Sequence, residues 1–242
     1  MHQHPHPQTP RTDTYDVVVV GGGPAGLSAA LALSRARRSV LVVDAGDPRN
    51  SPARHVHNYL GREGTPPAEL LAIGREEVAS YGGQVVTGRV TSARRWAEDE
   101  TGFVVCLDDG REVHGRRLLV TTGLVDELPD VPGLRERWGR DVLHCPYCHG
   151  WEVRDQALGV IASNGFATHQ VLMFRQLSDD VTLFLNGGPG LSDEQAEELA
   201  ARGSRSWWKP STVSWSTTTA SRACAWLRVM WSLFRHWWSR PG

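Results

Sequence analysis

The stretch best equipped for chemistry in this chain is Cys145-Pro146-Tyr147-Cys148-His149. Two thiols three positions apart can close a small disulfide ring or pass electrons in pairs, provided one of them is held as thiolate. An imidazole titrates near neutrality, so His149 can take or return the proton that makes Cys145 or Cys148 reactive. Cys145, Cys148 and His149 are therefore the candidate catalytic residues, a redox-active dithiol with its own base.

Three other chemistries share this pattern. C-x-x-C-H is also the attachment signature of a c-type haem, which is loaded outside the cytoplasm and needs an export signal. The start of the chain, Met1 to Thr14, carries His2, His4 and His6 among Pro and Gln and has no apolar core. It reads as a disordered tail rather than a signal peptide. Zinc would want a second pair of ligands at comparable spacing, and Cys106 and Cys224 stand alone, so no metal site is expected. Cys-Pro-Tyr-Cys also occurs in glutaredoxins, near the start of a small domain. Here it lies past residue 140, behind a nucleotide-binding pattern.

That pattern begins at Tyr15. Asp16 to Val20 is a continuous β-branched run, the mark of a strand buried on both faces, and Gly21-Gly22-Gly23-Pro24-Ala25-Gly26 follows at once. Leu27 to Arg37 is rich in Ala and Leu and predicts a helix, Ser39 to Val43 predicts a second strand, and Asp44 ends it. Each position of this G-x-G-x-x-G has a physical use. Gly21 permits the tight turn, Gly23 lets backbone N–H groups approach a pyrophosphate, and Gly26 lets helix pack on strand. Asp44 can bind a ribose hydroxyl pair. Strand, glycine loop, helix, strand and terminal acid together predict a dinucleotide site.

Composition sets the frame. A chain of 242 residues allows one large domain or two ordinary ones. The net charge of −1 gives no electrostatic basis for binding nucleic acid or an anionic membrane. No apolar run is long enough for a membrane-spanning helix, and four cysteines fit a reducing, cytoplasmic setting.

Beyond Asp44, residues 45–64 are too rich in turn formers for regular structure, and His55, His57 and Asn58 in this loop read either as site residues or as solvated surface. Thr65 to Tyr81 predicts a capped surface helix. Gln84 to Val90, Gly102 to Leu107 and Glu112 to Val120 predict a small meander turning at Asp108-Asp109-Gly110, with Cys106 as a small core residue. A second glycine turn follows at Thr121-Thr122-Gly123. Pro129 and Pro132 mark a crossing between domains. After the dithiol, Ala157 to Ile161, Phe166 to Leu177 and Val181 to Leu185 predict strand, helix and strand. At the turn of this second unit, Ala162 and Asn164 stand where glycines would be, and side chains there would crowd a pyrophosphate.

Ser192 to Arg202 predicts a helix, and then the composition breaks. No acidic residue follows Glu198, and seven of the ten tryptophans lie from Trp207 onward. Residues 204–242 show neither strand alternation nor a helical face. An Arg- and Trp-rich helix at a membrane surface over residues 223–240 is one account; a reading-frame error is the preferred one. Read one base out of phase, Val213 to Thr219 becomes an ordinary strand and turn.

With these pieces in place the chain resembles the thioredoxin-reductase-like FAD-dependent pyridine nucleotide-disulfide oxidoreductases, from about Tyr15 to Gly203. The resemblance implies an α/β fold: a Rossmann-like FAD-binding domain with a small β-meander over residues 15–128, and a partial NAD(P)-type domain carrying the dithiol over residues 129–203. It implies that Gly21, Gly23, Pro24, Ala25, Gly26 and Asp44 hold FAD, with Asn58, Val90, Thr122 and Gly123 near the cofactor. Cys148 would face the flavin and Cys145 would exchange with the substrate, a small-molecule dithiol or a thioredoxin-like protein. His149 replaces a usual acid, which resembles the dithiol-oxidising branch, and the altered second turn argues against NADPH. Members are commonly homodimers. The family's C-terminal Gly-Asp segment is absent, so a truncated chain with weak FAD binding is expected, and an inactive nucleotide-binding remnant is the alternative function. A haem-attachment protein is the third reading.

Overall fold

A computed structural model describes residues 14–96, 101–162, 165–186, 190–207 and 228–231. The described residues form two compact units. One draws on Met1–Ser51 and Pro67–Leu124, the other on Pro52–Pro66 and Val125–Gly242.

The first unit alternates β1 (Thr14–Val20), α1 (Pro24–Arg35), β2 (Val40–Asp44), α2 (Pro67–Ser80) and β3 (Gln84–Thr87), then adds β4 (Val90–Arg95), β5 (Phe103–Leu107) and β6 (Glu112–Val120). Its sheet runs β3-β2-β1-β6-β5-β4. β1 is parallel to both β2 and β6, with Val18 opposite Leu41 on one side and Leu118 on the other. Because β1 is central, both of its faces are covered. Val17 and Val19 pack with Leu27, Ala30 and Leu71 of the helices, and Val18 packs on the other face with Val105 and Val113 of the meander. Burying each such side chain contributes about 1.5–3 kcal/mol, which is why this strand is a continuous apolar run rather than an alternating one. Helix α1 starts earlier than its composition suggests, with Pro24 in the first turn, and ends before Arg37, whose φ of 60° cannot continue a right-handed helix.

Three expectations need correction here. The segment Gln84 to Val90 is two strands: β3 lies parallel to β2 at the sheet edge, and only β4, β5 and β6 form the antiparallel meander. The change of partner comes after Gly88: its N–H makes the last rung of the β2–β3 ladder, to the Asp44 carbonyl at 2.9 Å, and Val90 then pairs with Leu107 of β5. Cys106 is half-buried rather than core, with its thiol 3.4 Å from Glu112 Oε1. Thr14 begins β1 instead of ending the tail; the rest of that tail lies outside the described residues.

The second unit contains β7 (Val142–Leu143), α3 (Pro146–His149), β8 (Leu158–Ile161), α4 (Ala167–Arg175), β9 (Val181–Phe184), α5 (Asp193–Ala201), β10 (Arg205–Trp207) and β11 (Arg228–Trp231). Its pairings are parallel and its order is β10-β9-β8-β11-β7. The core gathers Leu158, Val160, Val171, Phe174, Val181, Leu183 and Leu199 between sheet and helices. Ser192 caps α5 through a reciprocal bond pattern with Gln195. The sequence shows no strand beyond residue 203, yet β10 and β11 both join this sheet, β11 pairing with β8 and β7. Residues 208–227 and 232–242, with five of the ten tryptophans, lie outside the described residues.

Candidate functional site

The glycine loop of the first unit is shaped by close approach. Gly21 has φ +103°, and a Cβ there would stand 2.4 Å from the Thr121 carbonyl oxygen. A Cβ at Gly26 would fall 1.9 Å from the Gly21 carbonyl oxygen, so a side chain at Gly26 would push α1 from the end of β1, and one at Gly21 would push that end from the chain leaving β6. The Gly22 N–H donates to Asp44 Oδ1 at 3.0 Å, tying the loop to the acid at the end of β2. Thr121, placed by the sequence in the second glycine turn but not among the site residues, donates its hydroxyl towards the Val20 and Gly21 carbonyls at 3.0 and 2.8 Å. Its signal was the glycine turn that follows a buried strand.

Gly23 is different. It is the N-cap of α1, no side chain caps that helix, and a Cβ on Gly23 would meet nothing within 4 Å. Uncapped first-turn N–H groups beside open space are what a pyrophosphate needs. Pro24 and Ala25 are exposed at this helix start, Val90 opens β4 half-buried against the meander core, and Thr122 and Gly123 are exposed beyond β6, Gly123 with φ +70°. The loop fits a dinucleotide.

In the second unit, Cys145 is the N-cap of α3 and Cys148 lies within it. The Cys148 and His149 N–H groups bond the Cys145 carbonyl at 3.3 and 3.2 Å, and the Gly150 N–H bonds Pro146 O at 2.8 Å. This turn carries the exposed Cys148 and the half-buried Cys145. Gly150 is buried under it: a Cβ there would lie 2.2 Å from Pro146 O and 2.3 Å from Leu177 Cδ1. Upstream, Gln170 of α4 donates to the His144 carbonyl at 2.9 Å, so the strand-helix-strand core sets where the motif starts.

Residues 52–66, expected with the first domain, belong to the second unit, where Asn58 and His57 reach Tyr147 and Glu152. Asn58, expected near the cofactor, donates its side-chain amide to Tyr147 O at 2.5 Å, between the two cysteines. His57 Nδ1 is 2.6 Å from Glu63 Oε1, and Glu63 Oε2 accepts from the Asn58 N–H at 2.8 Å. The bond from His57 holds the Glu63 carboxyl below its ordinary range. An ionised Glu63 accepts, so His57 carries its proton on Nδ1.

The His57 and His149 rings stand edge to face with centroids 6.0 Å apart, and His57 Nε2 is 3.6 Å from Glu152 Oε1. These groups border a cavity of about 540 Å³ that also reaches Arg54, Arg137 and Leu143. Burial, and then the positive charge available to His57, push the His149 imidazole below its ordinary 6.5, with Glu152 opposing. His149 is thereby favoured in the neutral form, as a proton acceptor at neutral pH. His57 is the loop histidine whose role the sequence left open; Glu63, Glu152 and Gly150 carried no local signal.

Ala162 is buried in the second core, and Asn164 lies outside the described residues. Among the described residues no three His, Cys, Asp or Glu side chains are grouped to hold a metal ion, and no helix is long and apolar enough to cross a membrane.

Residues 15–197 match the family model described as pyridine nucleotide-disulphide oxidoreductase. A probable thioredoxin reductase of Arthroderma benhamiae is 36% identical over 177 residues, 72% of this chain and 44% of that protein. The crystal structure of HlmI is 50% identical with a TM-score of 0.76, covering 79% of this chain and 60% of that one. An oxidoreductase from Agrobacterium tumefaciens is 39% identical with a TM-score of 0.80, covering 90% and 74%. The chain belongs to the pyridine nucleotide-disulphide oxidoreductase family, in its thioredoxin-reductase-like group, whose fold is Rossmann-like and whose cofactor is FAD. It spans about half the length of the curated relatives it matches.

Proposed function

We propose that the chain catalyses FAD-dependent thiol–disulfide exchange through Cys145 and Cys148, with a dithiol as electron donor. The observation that carries this reading is His149: it follows the exposed Cys148, lines a cavity, and is held towards its neutral, proton-accepting form. In the oxidising direction a substrate thiolate opens the Cys145–Cys148 disulfide at Cys145, and the second substrate thiol then displaces Cys145. The substrate leaves as its disulfide, and its electron pair remains as the two reduced cysteines. His149 takes the proton of the attacking thiol and returns it to the departing sulfur.

Gly21, Gly23, Pro24, Ala25 and Gly26 would hold the cofactor's pyrophosphate and Asp44 its ribose, with Asn58, Val90, Thr122 and Gly123 as the further contacts that the family resemblance implies. When bound, FAD supplies the two-electron acceptor. The cavity of about 540 Å³ beside His149 is of a size for a small-molecule dithiol. The name thioredoxin reductase, borne by similar proteins, supports a thioredoxin-like substrate as the second reading.

Alkylation of the reduced protein by iodoacetamide tests the proposal. Cys145 is expected to react at neutral pH in the wild type and in Cys148→Ser, and more slowly once His149→Gln removes the base. A Cys145 that stays unreactive at neutral pH would overturn it.

A further inference from the structure

We propose that His57, anchored by Glu63, is a positioning residue whose charge sets when His149 accepts a proton. The proposal rests on the reading of His149 as the thiols' proton partner and adds to it a second imidazole that touches neither thiol in the reaction.

The anchoring is built from both sides. His57 is only 18% exposed, and its Nδ1 meets Glu63 at 2.6 Å. The same carboxylate takes the Asn58 N–H at 2.8 Å, while the Asn58 side chain bonds Tyr147 O inside the motif. A single run of seven residues thus fixes an imidazole and the backbone between the cysteines together. With Nδ1 committed to Glu63, protonation of His57 occurs at Nε2, which lies 3.6 Å from Glu152. Protonated, it places a positive charge beside His149 across a ring separation of 6.0 Å. Repulsion between two like charges at that range disfavours the second proton.

The other charged groups bordering the cavity come from three segments. Arg54 and His55 share the loop of His57. Glu136, Arg137, Arg140 and Asp141 lie on the stretch before β7, where Arg137 is paired with Asp141. Glu152 follows the motif, and it favours the proton on His149 while His57 disfavours it. The two nearest influences therefore have opposite signs, which makes the arrangement testable without turnover.

The test is a pH titration of the His149 ring by NMR in histidine-labelled, reduced protein, its signal assigned by its loss in His149→Gln. His57→Gln is expected to move the His149 midpoint to higher pH. Glu152→Gln, made in the His57→Gln background so that no change at His57 intervenes, is expected to move it down again. The His57→Gln shift carries the coupling, and the same upward shift is expected in His57→Ala should His57→Gln fail to fold; the Glu152→Gln shift tests only the opposing influence of Glu152. An unchanged His149 midpoint in folded His57→Gln overturns the proposal and leaves the thiol–disulfide reading standing. The alkylation profile of Cys145 against pH, measured on the same samples, separates the two. If the midpoint moves and the thiol profile does not, His57 tunes His149 as proposed, and it is the role of His149 towards the thiols that fails.

Discussion

Asn58 donates its side-chain amide to the carbonyl of Tyr147 at 2.5 Å, so a residue from a distant loop holds the backbone between the two cysteines. Asn58 itself has φ 60°, a conformation that asparagine tolerates better than most residues. Asn58→Gly keeps that backbone and removes the bond. We expect a loss of about 1 kcal/mol, concentrated as faster amide hydrogen exchange at Cys148 and His149. Asn58→Ala adds left-handed strain and should lose more. Equal exchange at the motif in wild type and Asn58→Gly would remove Asn58 from this role.

The glycine loop separates packing from ligand space. Gly26→Ala places a methyl 1.9 Å from the Gly21 carbonyl oxygen and should unfold the loop, with loss of both thermal stability and FAD binding. Gly23→Ala points into open space, so the fold should keep its melting temperature while FAD binding weakens about tenfold or more, because the methyl competes with the pyrophosphate. Calorimetry and a flavin fluorescence titration on the two variants distinguish these outcomes. Undiminished FAD binding by Gly23→Ala would place the pyrophosphate elsewhere.

Burial lowers the His149 proton affinity below its ordinary 6.5, so the unfolded chain binds that proton more readily than the folded one. The associated stability is complete above pH 6.5 and is lost as pH falls from there through the lower folded value. Urea unfolding from about pH 7.5 down to about pH 5 should show this decline, and His149→Gln should flatten part of it. A decline unaffected by His149→Gln would mean that other groups carry it.

The second core has its own test. Phe174 is fully buried on α4, the helix whose Gln170 holds the His144 carbonyl. Phe174→Ala should cost about 3–5 kcal/mol. The loss should appear in urea melts together with faster alkylation of Cys145, since the start of the motif depends on that helix.

What could be read from sequence follows from how local each feature is. β1, the glycine loop, α1 and Asp44 are contiguous, and a β-branched run meeting a glycine-rich turn has few alternatives, so this unit was legible to within a few residues. The dithiol was legible as chemistry, but its helical turn was not, because the room for it depends on Gly150, where a Cβ would lie 2.2 Å from Pro146 O and 2.3 Å from Leu177 Cδ1, a residue outside the motif. The loop around His57 read as turn formers. Its order comes from hydrogen bonds to Glu63 and to Tyr147, the latter across 89 positions, which no local pattern encodes. β4 and β11 were missed for a related reason: each is a short segment made a strand by its neighbours in the sheet.

The central claim, that electrons pass between a dithiol and flavin through Cys145 and Cys148, is tested most directly by visible absorption of the FAD-loaded protein without air. A dithiol such as dithiothreitol is added, and NADPH separately. The account predicts that the flavin band bleaches with the dithiol in the wild type and stays in Cys148→Ser. Bleaching that is equally fast in Cys148→Ser, or that follows NADPH and not the dithiol, would contradict it.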